Sequence, residues 1–295
     1  MQTLALYVGF GLVTASILCI GAIGFTLQFG ISNLFNLAFG ATMTASAFVA
    51  YFCNEAGLNI WLSLVVGSLS GAALSYLLNR GIYVPFRGRT TSLFTMIMVT
   101  LGVGLVIKFG IEALWGATDF SYKMTAGRSL HFAGMVLTTV QVTVIAIAAG
   151  AALVMHGLLR YTRIGKAMRA VAVNERLARN CGIPVRIVTD STWLISGTLA
   201  GIAGVILVMD VQVLNPTAGT TIFILMVAAA VLGGIGSPYG AMLGSVIIGV
   251  VAEVAAGFLS PAFKDITSFV ILVAVLMLRP TGVIRSVASA KEVAR

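Results

Sequence analysis

Charged side chains are scarce in this chain of 295 residues: they make up 9% of it, whereas hydrophobic residues make up 59%. A soluble domain carries about 25% charged residues because its surface faces water. The first 54 residues contain no charged side chain, and neither do the 42 residues from Val211 to Ala252. A helix needs about 20 apolar residues to cross a bilayer, so these runs exclude a soluble protein and predict a membrane protein.

Other absences narrow the class further. The apolar runs do not alternate with polar residues, which excludes a membrane β-barrel and favours helices of the inner-membrane type. The three cysteines, Cys19, Cys53 and Cys181, form neither a disulfide framework nor a metal-binding spacing. The sequence has no phosphate-binding G-x-x-x-x-G-K-[ST] motif, and its two histidines, His131 and His156, are not near carboxylates or cysteines in the sequence. We therefore expect no enzyme activity, no cofactor and no metal.

The positive charge that is present is unevenly placed. Of the 18 lysines and arginines, 14 lie in three segments, Arg80–Arg89, Arg160–Arg186 and Arg279–Arg295. Loops on the cytoplasmic side of membrane proteins are rich in these residues, so we assign all three segments to that side. The net charge of +9 then reflects topology rather than nucleic-acid binding. No basic residue precedes the first apolar run, which indicates a retained first helix rather than a cleaved signal peptide.

Nine apolar segments predict an all-α, polytopic bundle of about eight or nine crossings, forming a single transmembrane domain over residues 1–295. The predicted crossings are 4–27, 34–52, 59–79, 91–113, 134–159, 188–209, 219–235, 240–257 and 266–279. Even numbers of crossings separate the three basic segments, as a common side requires. The same count places the C-terminus in the cytoplasm and the N-terminus in the periplasm.

Two stretches predict broken or re-entrant helices. In the first, Gln28–Gly40, polar residues interrupt an apolar run. The second is a glycine-rich stretch within the long charge-free run, and its helix-breaking residues are Gly233, Gly234, Gly236 and Pro238. Backbone freed by such breaks is tolerated where it faces protein or a hydrated cavity. Each break is followed by an aromatic-Gly-Ala triplet, which indicates either a weak internal repeat of the kind found in transporters or chance.

Uncharged polar residues near these breaks are candidates for a substrate path: Gln28, Asn33, Asn36, Gln212 and Asn215. Polar groups inside a membrane are costly and are often functional. If their segment is helical, Asn33 and Asn36 share one face. Hydrogen bonding between helices explains each residue equally well, and both interpretations stay open.

The longest cytoplasmic connection, about residues 160–187, carries a basic residue at every third position from Arg160 to Arg169. These residues orient the chain and contact anionic lipid headgroups. After them, Ala170–Cys181 predicts one short amphipathic helix that ends at Gly182 and Pro184. On physical grounds this helix either docks on a partner protein or rests on the membrane surface.

The sequence resembles the permeases of branched-chain amino-acid ABC importers, specifically the shorter, H-type subunit, over nearly its whole length. The matching motifs are GFTLQFGISNLFNLAFGA (24–41), RYTRIGKAMRAVAVNERLARNCGI (160–183), SGTLAGIAGVI (196–206), NPTAG (215–219), AAAVLGGIGSPYGAMLGS (228–245) and LRPTG (278–282). The resemblance implies inward transport of branched-chain or related amino acids, driven by ATP hydrolysis on a partner.

The resemblance also implies partners and a docking segment. The partners are a second permease subunit or a copy of this chain, two ATP-binding subunits, a periplasmic or lipid-anchored substrate-binding protein, and membrane lipid, without nucleic acid. The cytoplasmic helix becomes the coupling helix, with roles for Asn174, Glu175, Leu177, Ala178 and Gly182. Leu177 stands where the wider ABC permease motif has a second alanine after its glutamate, so the docking role belongs to the segment more than to single residues.

Two other function classes compete with an ABC permease. An ion-coupled secondary transporter of small polar solutes usually needs a charged residue near the membrane midplane, and the predicted crossings have none near their centres. A scaffold subunit predicts no path between the two breaks.

Overall fold

The computed structural model describes residues 2–87, 92–124, 127–132, 135–258 and 264–278. The described chain is a helical bundle with one β-hairpin. Its elements are α1 Gln2–Ser32, α2 Phe39–Glu55, α3 Ile60–Leu78, α4 Val84–Arg87, α5 Leu93–Trp115, β1 Ser129–Phe132, β2 Met135–Thr138, α6 Thr139–Tyr161, α7 Arg163–Val173, α8 Glu175–Asn180, α9 Val185–Val211, α10 Ala218–Gly233, α11 Pro238–Phe258 and α12 Lys264–Leu278. The basic C-terminal segment, 279–295, lies outside the described residues.

Each of the nine predicted crossings corresponds to a helix. Within the described residues, six helical spans are long and apolar enough to cross a bilayer: those in α1, α5, α6, α9 and α11, and the span that runs from α3 into α4. The helices that correspond to the other three predicted crossings, α2, α10 and α12, have 17, 16 and 15 residues. At 1.5 Å per residue, 16 residues extend about 24 Å, which is less than the hydrocarbon thickness of about 30 Å.

The two ends of the bundle differ in chemistry. At one end, called the basic end, Arg160 lies in the last turn of α6, and α7 and α8 follow. Arg80 pairs with Asp190 of α9 at 2.8 Å at the same end. The opposite end, called the hairpin end, carries β1 and β2. The start of α1 lies at the hairpin end, where the ring of Tyr7 is 6.0 Å from that of Phe258 at the end of α11.

The β-hairpin corrects one sequence prediction. Residues 135–138, expected to begin the crossing 134–159, form β2, which pairs antiparallel with β1. α6 begins only at Thr139, because Thr138 forms a capping box with Gln141. Nearby, the Tyr122 hydroxyl donates to the Ala47 carbonyl at 3.0 Å, and burial raises the pKa of this phenol far above its usual range. Tyr122 therefore stays protonated and anchors this loop to α2.

The third crossing was expected to end at residue 79, but the helix continues to Arg87 through a π-helical turn, Asn79–Tyr83. Pro85 explains the turn. A proline has no amide hydrogen, and its ring clashes with the carbonyl four residues earlier. A wider turn before the proline accommodates it without ending the helix.

Close helix contacts depend on glycine. A methyl group built on Gly71 of α3 would lie 2.5 Å from the Gly197 carbonyl oxygen of α9, and one on Gly204 would lie 2.3 Å from the Met43 carbonyl oxygen of α2. Small residues let helix backbones approach in membranes. α9 therefore packs directly against both α2 and α3 at the centre of the bundle.

Candidate functional site

The first predicted break contains a buried network of polar side chains. Asn36 donates from its amide to Gln28 Oε1 at 3.1 Å, and its own oxygen accepts from the Ala38 amide at 3.1 Å and from the Tyr83 hydroxyl at 3.3 Å. Gln28 and Asn36 are both buried, and Gln28 Nε2 has no partner within the described part of the chain. The unpaired amide is a donor held inside the bundle.

The helix before this network is longer than its sequence indicates. α1 extends five residues past the expected end at residue 27, so Gln28 lies in a helical turn and the break begins at Asn33. Two distant residues hold the end of α1. The Trp193 indole donates to the Ser32 hydroxyl at 3.0 Å, and the Arg87 guanidinium donates to the Ser32 carbonyl. The contact from Arg87 occupies a backbone carbonyl that a helix end leaves free.

Asn33 and Asn36 would share a helix face only if their segment were helical, and residues 33–36 are not helical. Asn33 has a left-handed backbone, with φ of 53°, and its side chain is exposed. Asparagine tolerates this conformation better than most residues, so Asn33 ends α1 while Asn36 turns inward.

The second break is a tight turn between two antiparallel helices. α10 ends at Gly233 and α11 begins at Pro238, and Gly234 and Gly236 adopt positive φ angles of 106° and 90°. A methyl group built on Gly30 of α1 would lie 3.3 Å from Gly236 Cα. The two breaks, far apart in sequence, therefore meet at the basic end.

Gln212 and Asn215 do not join this group. Both follow α9 at the hairpin end, where Leu214 between them pairs its backbone with Phe120. Gln212 caps α9 in a left-handed conformation and donates to the Met209 carbonyl at 2.5 Å. Asn215 accepts from the Thr217 amide at 3.2 Å and lines a cleft of about 290 Å³. The five candidate path residues thus divide between the two ends of the bundle.

The connection between α6 and α9 contains two helices rather than the single helix predicted over Ala170–Cys181. α7 ends at Val173, and Asn174 is extended and accepts from the Leu177 amide at 3.0 Å as the cap of α8. Gly182 has a φ of 80°, which confirms the predicted glycine stop. Leu177 is 60% exposed, whereas Ala178 is buried against the bundle.

Sequence reasoning missed the residues that hold the first break together. Tyr83 and Trp193 are fully buried, and their ring centroids lie 5.1 Å apart. The Thr100 hydroxyl of α5 accepts a hydrogen bond from the Leu37 backbone amide at 3.3 Å. A tyrosine and a tryptophan close to basic residues resemble an interfacial belt in sequence, so no local signal identified them as partners of the break.

Removing the Asn36 side chain is expected to destabilise the protein strongly. Asn36→Ala leaves the Gln28 oxygen, the Tyr83 hydroxyl and the Ala38 amide without their partner. A buried polar group left unpaired costs about 1–3 kcal/mol, so we expect a loss of at least about 3 kcal/mol. Thermal unfolding in detergent should show a midpoint lower by about 6 °C or more.

The matched control is Asn33→Gly, which changes the exposed asparagine and keeps a residue suited to positive φ. We expect its unfolding midpoint to stay within about 1 °C of the unchanged protein. An equal drop in the unfolding midpoint of both variants would contradict the prediction. It would show that any substitution in this segment is destabilising and that the Asn36 hydrogen bonds are not the cause.

This geometry defines a class: a multi-pass helical membrane protein in which two helix breaks meet at a basic end. The fold agrees with that of the solved structure "PsaBC from Streptococcus pneumoniae in complex with Fab", at a TM-score of 0.52 and 17% identity over 92% of this chain and 91% of that chain. At this identity the likeness concerns the fold alone.

The family follows from sequence comparison. The family model "Branched-chain amino acid transport system / permease component" matches residues 7–276. The chain belongs to this family. This confirms the resemblance to branched-chain amino-acid permeases that the sequence motifs showed. It is 29% identical to the high-affinity branched-chain amino acid transport system permease protein LivH of Escherichia coli, over 93% of both chains. It is 27% identical to BraD of Pseudomonas aeruginosa, over 93% of both chains, and 28% identical to the probable LivH of Methanocaldococcus jannaschii, over 92% and 90%.

Proposed function

We propose that this chain is the transmembrane subunit of an ATP-driven importer of branched-chain or related amino acids. The observation that carries the proposal is the exposed helix α8 at the basic end, joined through α7 to the region where the two breaks meet. Family membership supports the same conclusion. ATP hydrolysis would occur on two partner subunits, and a second permease, homologous or identical, would complete the path.

The coupling role is assigned to Asn174, Glu175, Leu177, Ala178 and Gly182. Three features of α8 support docking on a protein. Leu177 presents an apolar side chain to the outside, Glu175 and Arg179 pair at 2.8 Å and remain exposed, and Ala178 anchors the helix to the bundle. A short helix that is fixed to the bundle by Ala178 and exposes one apolar side chain among charged ones fits a groove in a partner.

The connection between α8 and the breaks is short. α7 follows Thr162, whose side chain caps it, and packs Met168 and Val171 into the core. Met168 lines the same cavity as Gly30 of α1 and Gly236 of the second turn. Displacement of α8 by a partner would therefore act on α7 and then on the two breaks.

The substrate path is proposed to run past Gln28, Asn33 and Asn36 at the basic end and past Gln212 and Asn215 at the hairpin end. The unpaired Gln28 amide supports a polar contact inside the bundle. The turn formed by Gly233, Gly234, Gly236 and Pro238 closes the path beside it. A permease that receives its substrate from a separate binding protein, periplasmic or lipid-anchored, needs only weak contacts of this kind with the substrate.

Sidedness follows from charge. The basic end carries Arg160, Arg163, Lys166 and Arg169 on or next to α7, which supports a cytoplasmic location. The hairpin end and the N-terminus would then face the periplasm of a bacterial inner membrane, and the C-terminus would lie in the cytoplasm. Residues 1–295 act as one permease domain, with residues 160–187 as its coupling loop.

Reconstitution tests the proposal. Vesicles containing the chain with its second permease, ATP-binding and substrate-binding subunits should accumulate radiolabelled leucine, isoleucine or valine only when ATP is present. Vesicles with the chain alone should not accumulate them under a proton or sodium gradient. Uptake by the chain alone under a gradient would support the secondary-transporter alternative and overturn the proposal.

A further inference from the structure

A cavity of about 410 Å³ lies at the basic end, between α1, α6, α7 and the turn that joins α10 to α11. We call it the arginine cavity, because Arg160 at the end of α6 and Arg169 of α7 line it. Its floor is α1, next to the contact between Gly30 and Gly236. The cavity thus touches both the coupling segment and the two breaks.

The charge in this cavity is unbalanced. No acidic side chain among the described residues lines it, and neither Arg160 nor Arg169 forms an ion pair within the described part of the chain. The other polar groups on its wall include His156 and Tyr239, which share a hydrogen bond of 3.1 Å. The Arg160 guanidinium lies over the Tyr161 ring at 5.7 Å, a contact that leaves its charge unneutralised. Two guanidinium groups without a described carboxylate partner at one cavity favour an anion, above all a phosphate.

One buried hydroxyl also lines the arginine cavity without a partner. Thr26 of α1 is 0% exposed, and its Oγ1 atom makes no hydrogen bond in the described structure. Most buried hydroxyl groups in proteins are hydrogen-bonded. The remaining wall is largely apolar, with Leu27, Ile31 and Met168 among its residues. The ligand that fits therefore carries negative charge, an oxygen acceptor and apolar groups together.

Exposed apolar side chains continue from the cavity toward the bilayer centre. Leu153 of α6, one turn before His156, is 72% exposed, and Leu243 of α11, one turn after Tyr239, is 49% exposed. Both helices have their basic ends at the cavity, so these residues lie deeper in the membrane. Acyl chains attached to a headgroup in the cavity would run along this surface.

We propose that the arginine cavity binds an acidic phospholipid of the leaflet at the basic end. The phosphate lies between Arg160 and Arg169, the Thr26 hydroxyl donates to a glycerol or ester oxygen, and the acyl chains follow the exposed faces of α6 and α11. Basic pockets between membrane helices bind such headgroups. A lipid held there braces α7 against α1 and so stabilises the coupling segment. This inference does not depend on the transported solute.

Native mass spectrometry tests the site. The purified chain is delipidated in detergent, and phosphatidylglycerol or phosphatidylethanolamine is added at matched concentrations. We expect phosphatidylglycerol to bind at least fivefold better than phosphatidylethanolamine. The double variant Arg160→Gln/Arg169→Gln should lose this preference. The control Arg163→Gln/Lys166→Gln removes the same charge from exposed positions that do not line the cavity and should keep it.

A second variant separates cavity binding from general charge. Ala172→Leu adds volume to the cavity wall without changing charge, and we expect at least a threefold loss of phosphatidylglycerol binding. Size-exclusion profiles and thermal unfolding check that each variant is folded. Equal loss in the two double variants, or equal binding of the two lipids, would overturn the proposal. Binding of inorganic phosphate or free leucine to the delipidated chain, lost with Arg160→Gln/Arg169→Gln, would instead identify a solute site and also overturn it.

Discussion

Replacing Gly233 by alanine is expected to prevent the folded chain from accumulating. A methyl group at this position would lie 2.0 Å from the Gly240 carbonyl oxygen, and one at Gly240 would lie 2.1 Å from the Gly233 carbonyl oxygen. Both contacts are with backbone, so no side-chain rotation relieves them. Overpacking of a well-packed core costs about 1–3 kcal/mol and sometimes more. We expect a cost of at least about 3 kcal/mol here, because the α10–α11 turn itself must shift.

The measurement is the yield of monodisperse protein by fluorescence-detected size exclusion after expression at equal levels. Gly102→Ala in α5 is the matched control, because no described atom outside its own helix lies within 4 Å of the added methyl group. Alanine is also favoured over glycine in a helix by about 1 kcal/mol. The control should equal or exceed the unchanged protein. A normal yield of Gly233→Ala would show that the α10–α11 turn has room for a methyl group, against the close backbone contact with Gly240.

Replacing Leu177 by aspartate is expected to reduce ATP-driven transport at least tenfold without unfolding the bundle. Leu177 is 60% exposed, so its loss removes little from the core. If the side chain enters a groove on an ATP-binding subunit, a carboxylate there is buried without a partner. Such a group costs several kcal/mol, and about 1.4 kcal/mol corresponds to a tenfold loss of affinity.

Transport into vesicles and co-purification of the ATP-binding subunit measure this effect. Leu177→Met keeps an apolar side chain of similar size and should retain both activities. The unfolding midpoint of the isolated chain should agree for Leu177→Asp, Leu177→Met and the unchanged protein to within about 2 °C. Full transport by Leu177→Asp would show that Leu177 has no role in coupling.

The general course of the helices could be predicted because it depends on local composition. α9 was expected over 188–209 and spans Val185–Val211. The agreement is close because the polar residues that flank an apolar run mark where the helix begins and ends. The glycine stop at Gly182 was predictable for the same reason: the left-handed conformation is a property of one residue and its neighbours.

The end of α1 could not be predicted in this way. Its last residue is held by Trp193 and Arg87, which are 161 and 55 positions away in the chain. The inward position of Asn36 likewise depends on Tyr83. Helix-breaking patterns locate a break approximately, but contacts between distant segments decide which polar side chains face the interior.

The division of the predicted amphipathic helix into α7 and α8 at Asn174 had a local signal that the amphipathic pattern obscured. Asparagine followed by glutamate is a favoured start of a helix, and Asn174 caps α8 in this manner. The residues on both sides continue a helical pattern of apolar positions, which favoured one uninterrupted helix. A favoured capping residue within an amphipathic segment therefore indicates a helix boundary as strongly as the apolar periodicity indicates a continuous helix.

The contact between Gly30 and Gly236 has a mechanical consequence. A methyl group on Gly30 would lie only 3.3 Å from Gly236 Cα, so two smooth backbones touch there without interlocking side chains. Surfaces of this kind slide past one another at low cost, whereas interdigitated side chains resist shear. Farther from the turn, side chains hold the helices in place: the Thr14 hydroxyl of α1 donates to Glu253 of α11 at 2.6 Å, and the Phe25 ring of α1 packs edge-on to Phe223 of α10 at 5.4 Å. The tip of the α10–α11 turn is thus the part that can slide along the end of α1, while the two helices behind it stay fixed to the bundle.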